Sequence, residues 1–208
     1  MKLYTYVITR DFGFAPNPFY GCCTLATCKP RIRKAAIIGD WIVGFGSFAQ
    51  DSKLKNRIIF AMQVEGKMTF DEYWNSEQFL QKHPYLQGSL KQCYGDNIYH
   101  KINGKYVQEN SHHSYKDGNE NIYNKKRDLS CEYVVYGHTF WYWGKDAILC
   151  DVKYRRFAPE CRSHRVFDST NDIRVGKFVE WIKSQGDCGI YGFPKEFSDE
   201  FKRYGGEK

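Results

Sequence analysis

"GDWIVGFGS" (39–47) and, after a short polar stretch, "RIIFAMQVEGKMTFDEYW" (57–74) carry the clearest fold signal in the chain. The first opens on a Gly-Asp turn and enters a strand whose glycines allow close backbone approach or a bulge. The second begins as a buried strand, apolar from Ile58 to Met62. Thr69 then stands three residues before Glu72, the capping-box pattern, which predicts a helix over about 70–81. Working outward, residues 3–9 read as a first strand, and 131–144 and 147–152 as later ones. Val175, Phe178, Val179 and Ile182 share helical spacing, which predicts a helix over about 172–184 ending near Gly186. With many strands and only two predicted helices, near 70–81 and 172–184, the expectation is an α+β domain.

A second stretch, "GDNIYHKINGKYVQENSHHS" (95–114), concentrates polar groups and holds His100, His112 and His113. Asn103-Gly104 is a strong hairpin signal, because a type I′ turn needs positive φ at both central residues. With that turn, Ile102 faces Lys105, His100 faces Val107 and Asn97 faces Asn110. The hairpin then brings Gly95-Asp96-Asn97 beside Asn110 to Ser114 at its open end, one place in space.

At 208 residues, with no internal repeat and no linker, the chain is expected to be a single domain, 1–208, with a core of its own. Sixteen Tyr, 15 Phe and 5 Trp suit half-buried strands and equally suit stacking on nucleobases. The formal charge of +7 suits a phosphate-bearing partner. "LYTYVITR" after the start lacks the apolar run of a signal peptide, and no apolar stretch is long enough to span a membrane, so a cytoplasmic protein is expected. Eight cysteines form no C-x-x-C pair, which argues against a zinc site and for mostly buried, reduced thiols.

Three kinds of chemistry remain open. A histidine beside Asp96 could act as a general base, with His100 or His112 in that role, while Cys22, Cys23 or Cys28 could be a nucleophile if a basic neighbour such as Lys29 lowers its pKa. Metal binding by His100, His112, His113 and Asp96 is the weaker reading, because adjacent histidines on a strand point apart unless the backbone turns. Recognition is the third. Basic clusters at 29–34 (Lys29, Arg31, Arg33) and 153–165 would hold phosphate, and Trp41 or Tyr99 would stack on a base. Asp96, Asn97, Asn110 and His112 would read its polar edges. No phosphate-cradling loop is present, since "GFGS" lacks the third glycine and following helix of a dinucleotide fingerprint.

The ordered segments "FGFAPNPFYGCCTLATCKPRIRKAAIIGDWIVGFGS", "IIFAMQVEGKMTFDEYW", "GDNIYH", "NSHHS" and "FWYWG" resemble the second family of nucleotide modification associated domains, over about residues 3–152. The motif positions are Asn17, Pro18, Thr24, Thr27 to Pro30, Gly39 to Trp41, Asp96, Asn97, His100 and Asn110 to His113, so Ser111 and His113 join the candidates. The resemblance implies a link to DNA base modification in bacteria and their phages, and no particular cofactor. It favours recognition of a modified base or nucleotide, in phage modification or in its conflict with the host. An enzyme acting on the base, and a structural partner in a larger modification complex, are the rival classes. The strand order is also similar to PUA-like barrels such as EVE and YTH domains, which implies a strongly bent, barrel-like sheet with a few peripheral helices.

Overall fold

The computed structural model describes residues 1–160, 163–198 and 200–205; Cys161 and Arg162, part of the basic segment read from sequence, lie outside the described residues. In chain order the first strands are β1 (Lys2–Ile8), β2 (Cys23–Leu25), β3 (Trp41–Gly46), β4 (Arg57–Gln63), β5 (Gly66–Thr69) and β6 (Tyr99–Ile102). They are followed by β7 (Lys105–Gln108), β8 (Tyr133–Gly137), β9 (Phe140–Tyr142), β10 (Ile148–Leu149), β11 (His164–Asp168) and β12 (Gly189–Ile190). The α-helices are α1 (Pro30–Ala35), α2 (Phe70–Asn75), α3 (Leu90–Cys93), α4 (Ile122–Asp128) and α5 (Arg174–Lys183). The chain folds as two compact units.

The first unit, residues 1–11, 36–66 and 136–196, is built on a mixed sheet of order β11-β1-β3-β4-β9-β12, with β10 beside β4. β1 and β3 run parallel from Leu3↔Trp41 to Ile8↔Gly46. β3 and β4 are antiparallel, with a register shift between Gly44 and Phe45. A Cβ on Gly44 would stand 2.5 Å from both Ile8 and Phe60, so only glycine lets the strand pass at this bulge. The helical apolar stripe predicted from spacing is real: Val175, Phe178, Val179 and Ile182 of α5 pack with Leu3, Trp41, Val43 and Ile58. Trp41 is 1 % exposed and stacks on Trp141 at 6.0 Å.

The expected barrel does not form. Closure would require the two edge strands to pair, but β11 pairs inward with β1 and β12 with β9. Among the described residues no sheet closes or curls strongly. The apolar face finds its cover in α5 instead of in an opposite wall of its own sheet.

The second unit, residues 12–35, 67–135 and 197 onward, carries the sheet β2-β8-β5 and the β6–β7 hairpin. The hairpin has the register read from its turn, His100↔Val107 and Ile102↔Lys105, with Asn103 and Gly104 at φ 50° and 76°. The capping box also forms: Glu72 N donates to Thr69 Oγ1 (3.2 Å) and Thr69 N to Glu72 Oε2 (2.7 Å). The helix predicted to 81 is broken, however. Ser76 takes an extended backbone (ψ 123°), and a 3₁₀ segment, Glu77–Lys82, continues from it. No helix among the described residues is long and apolar enough to cross a membrane.

Phe178→Ala removes a ring buried at 0 % exposure between α5 and the sheet and is expected to cost about 3–5 kcal/mol in urea unfolding. Ile173→Ser, at a side chain 74 % exposed just before α5, is expected to stay within about 0.5 kcal/mol of the parent. Equal effects of the two would refute this account of the core.

Candidate functional site

The stretch "ATCKPRIRKA" departs from the α and β regions at its centre, where Cys28 and Lys29 both have positive φ, 56° and 39°. Two consecutive side-chain-bearing residues in the left-handed region are strained and persist only where their surroundings hold them. The holder is Asp128, at the end of α4. Its Oδ1 accepts from Cys28 N at 2.9 Å, and Arg33 of α1 donates its Nε to Cys28 O at 2.9 Å. Arg33 is fully buried, and its terminal nitrogens donate to the carbonyls of Cys131, Tyr133 and Asp128. Its guanidinium is therefore spent on backbone, not on the phosphate expected of the 29–34 cluster. Arg31 points to solvent, and Lys29 is half-buried beside Cys28.

Cys28 is a half-buried residue whose Sγ lies 3.9 Å from His113 Nε2, and His113 Nδ1 lies 2.7 Å from Asp128 Oδ2. Thiol, imidazole and carboxylate thus stand in series. Arg127 Nε donates to Asp128 Oδ1 at 3.1 Å, while its terminal nitrogen sits 3.4 and 3.5 Å from the two ring nitrogens of His113. Tyr99 OH donates to Asp128 Oδ2 and accepts from Gln108 Nε2. Phe14 closes on the His113 ring edge-on at 4.6 Å. The hydroxyl of Thr27, next to Cys28, is buried with no hydrogen-bond partner among the described residues.

The electrostatics follow from this arrangement. Burial disfavours charge on all three groups, and mutual attraction overrides it. His113 is pushed up to about 9 by the charge and hydrogen bond of Asp128, with help from Cys28. His113 and Arg127 together hold Asp128 far below the usual carboxylate range. The Cys28 thiol is lowered by its hydrogen bond to His113 and by that ring's charge. A thiolate facing an imidazolium can attack a carbon and then supply a proton to the group that leaves.

The backbone turns at 111–114, where Ser114 N donates to Ser111 O, so His112 and His113 do not point to opposite faces. Their rings lie 5.6 Å apart. His112 is packed among Phe12, Phe14 and Tyr94, with Nδ1 on the carbonyl of Lys202. His100 is elsewhere: it stacks on Trp74 at 4.1 Å and pairs with Glu109 at 2.7 Å. Neither histidine meets Asp96. That carboxylate accepts from Thr24 Oγ1 (2.6 Å) and Tyr73 OH (2.8 Å) in a second buried network. There Lys82 Nζ lies within 3.1 Å of Asn17 O, Asn17 Oδ1, Cys22 O and Thr24 Oγ1. Asn97 joins it through Nδ2 to Tyr73 O. Asn110 is exposed, and Ser111 is buried with its carbonyl held by Arg203. The sequence reading placed Cys28 and His113 among the candidates but missed Asp128, Arg127 and Lys82. Among the described residues no group of three or more His, Cys, Asp or Glu could hold a metal ion.

The fold and site define a mixed α+β protein whose second unit holds a thiol–imidazole–carboxylate series walled by aromatic rings. The chain belongs to the family described as nucleotide modification associated domain 2, whose model matches residues 1–201 and so takes in the basic segment and α5 as well. No curated protein and no solved structure matches it.

Iodoacetamide is expected to alkylate Cys28 with a pH midpoint below that of an ordinary thiol, read by peptide mass spectrometry. His113→Asn should move that midpoint upward, and an unmoved midpoint would refute the pairing. Asp128 is depressed in the fold, so its contribution to stability is present above its unfolded value near 3.8 and lost as pH falls below it. Asp128→Asn is expected to cost about 3–5 kcal/mol at pH 7 and to flatten the acid limb of a stability–pH curve.

Proposed function

We propose that this protein is an enzyme of nucleotide modification that works through a Cys28 thiolate. The observation that carries this reading is the series Cys28–His113–Asp128, held by strained backbone in a chain whose family is associated with nucleotide modification. Cys28 Sγ gives an electron pair to an electrophilic carbon of a nucleobase, or of a group attached to it, and a sulfur–carbon bond forms. The pair displaced from that carbon moves onto a leaving group or into the ring, and the atom receiving it takes the proton from His113 Nε2. Release reverses the roles. His113 accepts a proton from the incoming nucleophile, the sulfur–carbon bond breaks, and Cys28 departs as the thiolate. Asp128 keeps Nδ1 protonated and the ring aimed at sulfur throughout.

Recognition without chemistry has less support. Trp41 and Tyr99, the rings expected to stack on a base, are 1 % and 0 % exposed, and neither can do so without opening its core. The basic balance of the chain suits a phosphate-bearing substrate as well as it suits a phosphate-bearing ligand.

The test is incubation with nucleotides and with modified and unmodified DNA, followed by nucleoside analysis and intact-protein mass spectrometry. Wild type is expected to change the mass of a nucleoside and to carry a transient adduct on Cys28. Cys28→Ser should lose the adduct and slow turnover on the order of 10³-fold or more. Equal turnover by Cys28→Ser would overturn the proposal.

A further inference from the structure

The first unit contains a cleft of about 450 Å³ at the carboxyl ends of the parallel strands β1 and β3. It involves none of the residues grouped around Cys28, and its argument stands on its own lining. Val7 and Phe45, paired across the two strands, line it with Ala158. The bulge at Gly44/Phe45 redirects β3 immediately before the cleft, a place where bulges re-aim side chains. The chain then leaves the sheet through Ser47 and Phe48, and Asn56, at φ 56°, turns it back into β4.

Two features of the lining point to a ligand. Phe48 stands 58 % exposed on the cleft, an aromatic ring left in water. Lys55 and Arg155 also line the cleft, and among the described residues neither side chain has an ion-pair partner. Their basic neighbours behave differently: Arg156 pairs with Asp172, Lys153 with Asp151 and Lys195 with Asp51. Lys55 Nζ lies 5.4 Å from the Phe48 ring centre, so a cation and a stacking platform share one wall. Glu160 and Asn56 add hydrogen-bonding groups to the lining. The volume falls in the range of small-molecule sites.

We propose that this cleft binds a nucleoside monophosphate unit, with the base against Phe48 and the phosphate held by Lys55 and Arg155. The same chemistry is offered by a free nucleotide and by one residue of a single strand. Calorimetric titration of the full chain with deoxynucleoside monophosphates and with a ten-residue single-stranded DNA tests it and separates the two sources. Phe48→Ala and the double variant Lys55→Ala/Arg155→Ala are each expected to weaken binding at least tenfold while circular dichroism stays unchanged. Both cleft variants should keep the wild-type pH midpoint of Cys28 alkylation, so failure here is distinguishable from failure of the Cys28 chemistry. Preference for the strand with a steep salt dependence would identify nucleic acid as the source, and equal affinity for the mononucleotide a free nucleotide. Absence of nucleotide binding in wild type, or undiminished binding in both variants, would overturn the proposal.

Discussion

A single buried carboxylate organises the second unit. Asp128 has no exposure and takes hydrogen bonds from the Cys28 amide, the His113 ring, the Arg127 guanidinium and the Tyr99 hydroxyl. Its own carbonyl receives Arg33. A charge taken out of water is tolerated only where several donors and an opposite charge replace the lost hydration, and here they do. Those same donors fix α1, α4, the 111–114 turn and the β6–β7 hairpin against one another. The chemistry of the site and the architecture around it thus rest on one side chain.

The Lys82–Asp96 network makes an instructive contrast. It too buries a lysine and a carboxylate with hydroxyl and carbonyl partners, and Thr24 Oγ1 bridges the two groups. Its carboxylate and ammonium are engaged by side chains and backbone, and Asn97 Oδ1 is buried with no hydrogen-bond partner among the described residues. It serves as a fastener under β2, whereas the Asp128 group ends on the thiol of Cys28, a half-buried residue.

What could be read from sequence was what the chain decides locally. Asn103-Gly104, the Thr69–Glu72 box and the 175–182 stripe each act within a few residues, and all three formed. What could not be read depends on partners far along the chain. Asp128 sits in "YNKKRD", a run that looks like solvated charge, and nothing nearby signals that Cys28 lies a hundred residues away waiting for it. Arg33 and Lys82 were hidden in the same way, as ordinary basic residues among others. Trp41 and Tyr99 were legible as aromatic but not as buried, because the helices packed on them, α5 on Trp41 and α2 and α4 on Tyr99, are distant in sequence. The barrel failed for a similar reason: edge pairing is a property of the whole sheet, which no single strand announces.

In the proposed reaction, the hydrogen bond from the Cys28 amide to Asp128 bears on which electrophiles would suit the sulfur. In many acyl transfers the amide of the nucleophile itself meets the charge that builds on the substrate carbonyl. At Cys28 that amide is already engaged. Negative charge on a substrate oxygen would then be met by other groups near the sulfur, among them the cations Arg127, pressed against the imidazole, and Lys29, half-buried beside Cys28. A guanidinium is a broad, flat donor, suited to charge spread through a ring and less to charge focused on one tetrahedral oxygen. Under the proposed chemistry, the anchoring of the loop shifts oxyanion stabilisation from the nucleophile's own amide to neighbouring side chains.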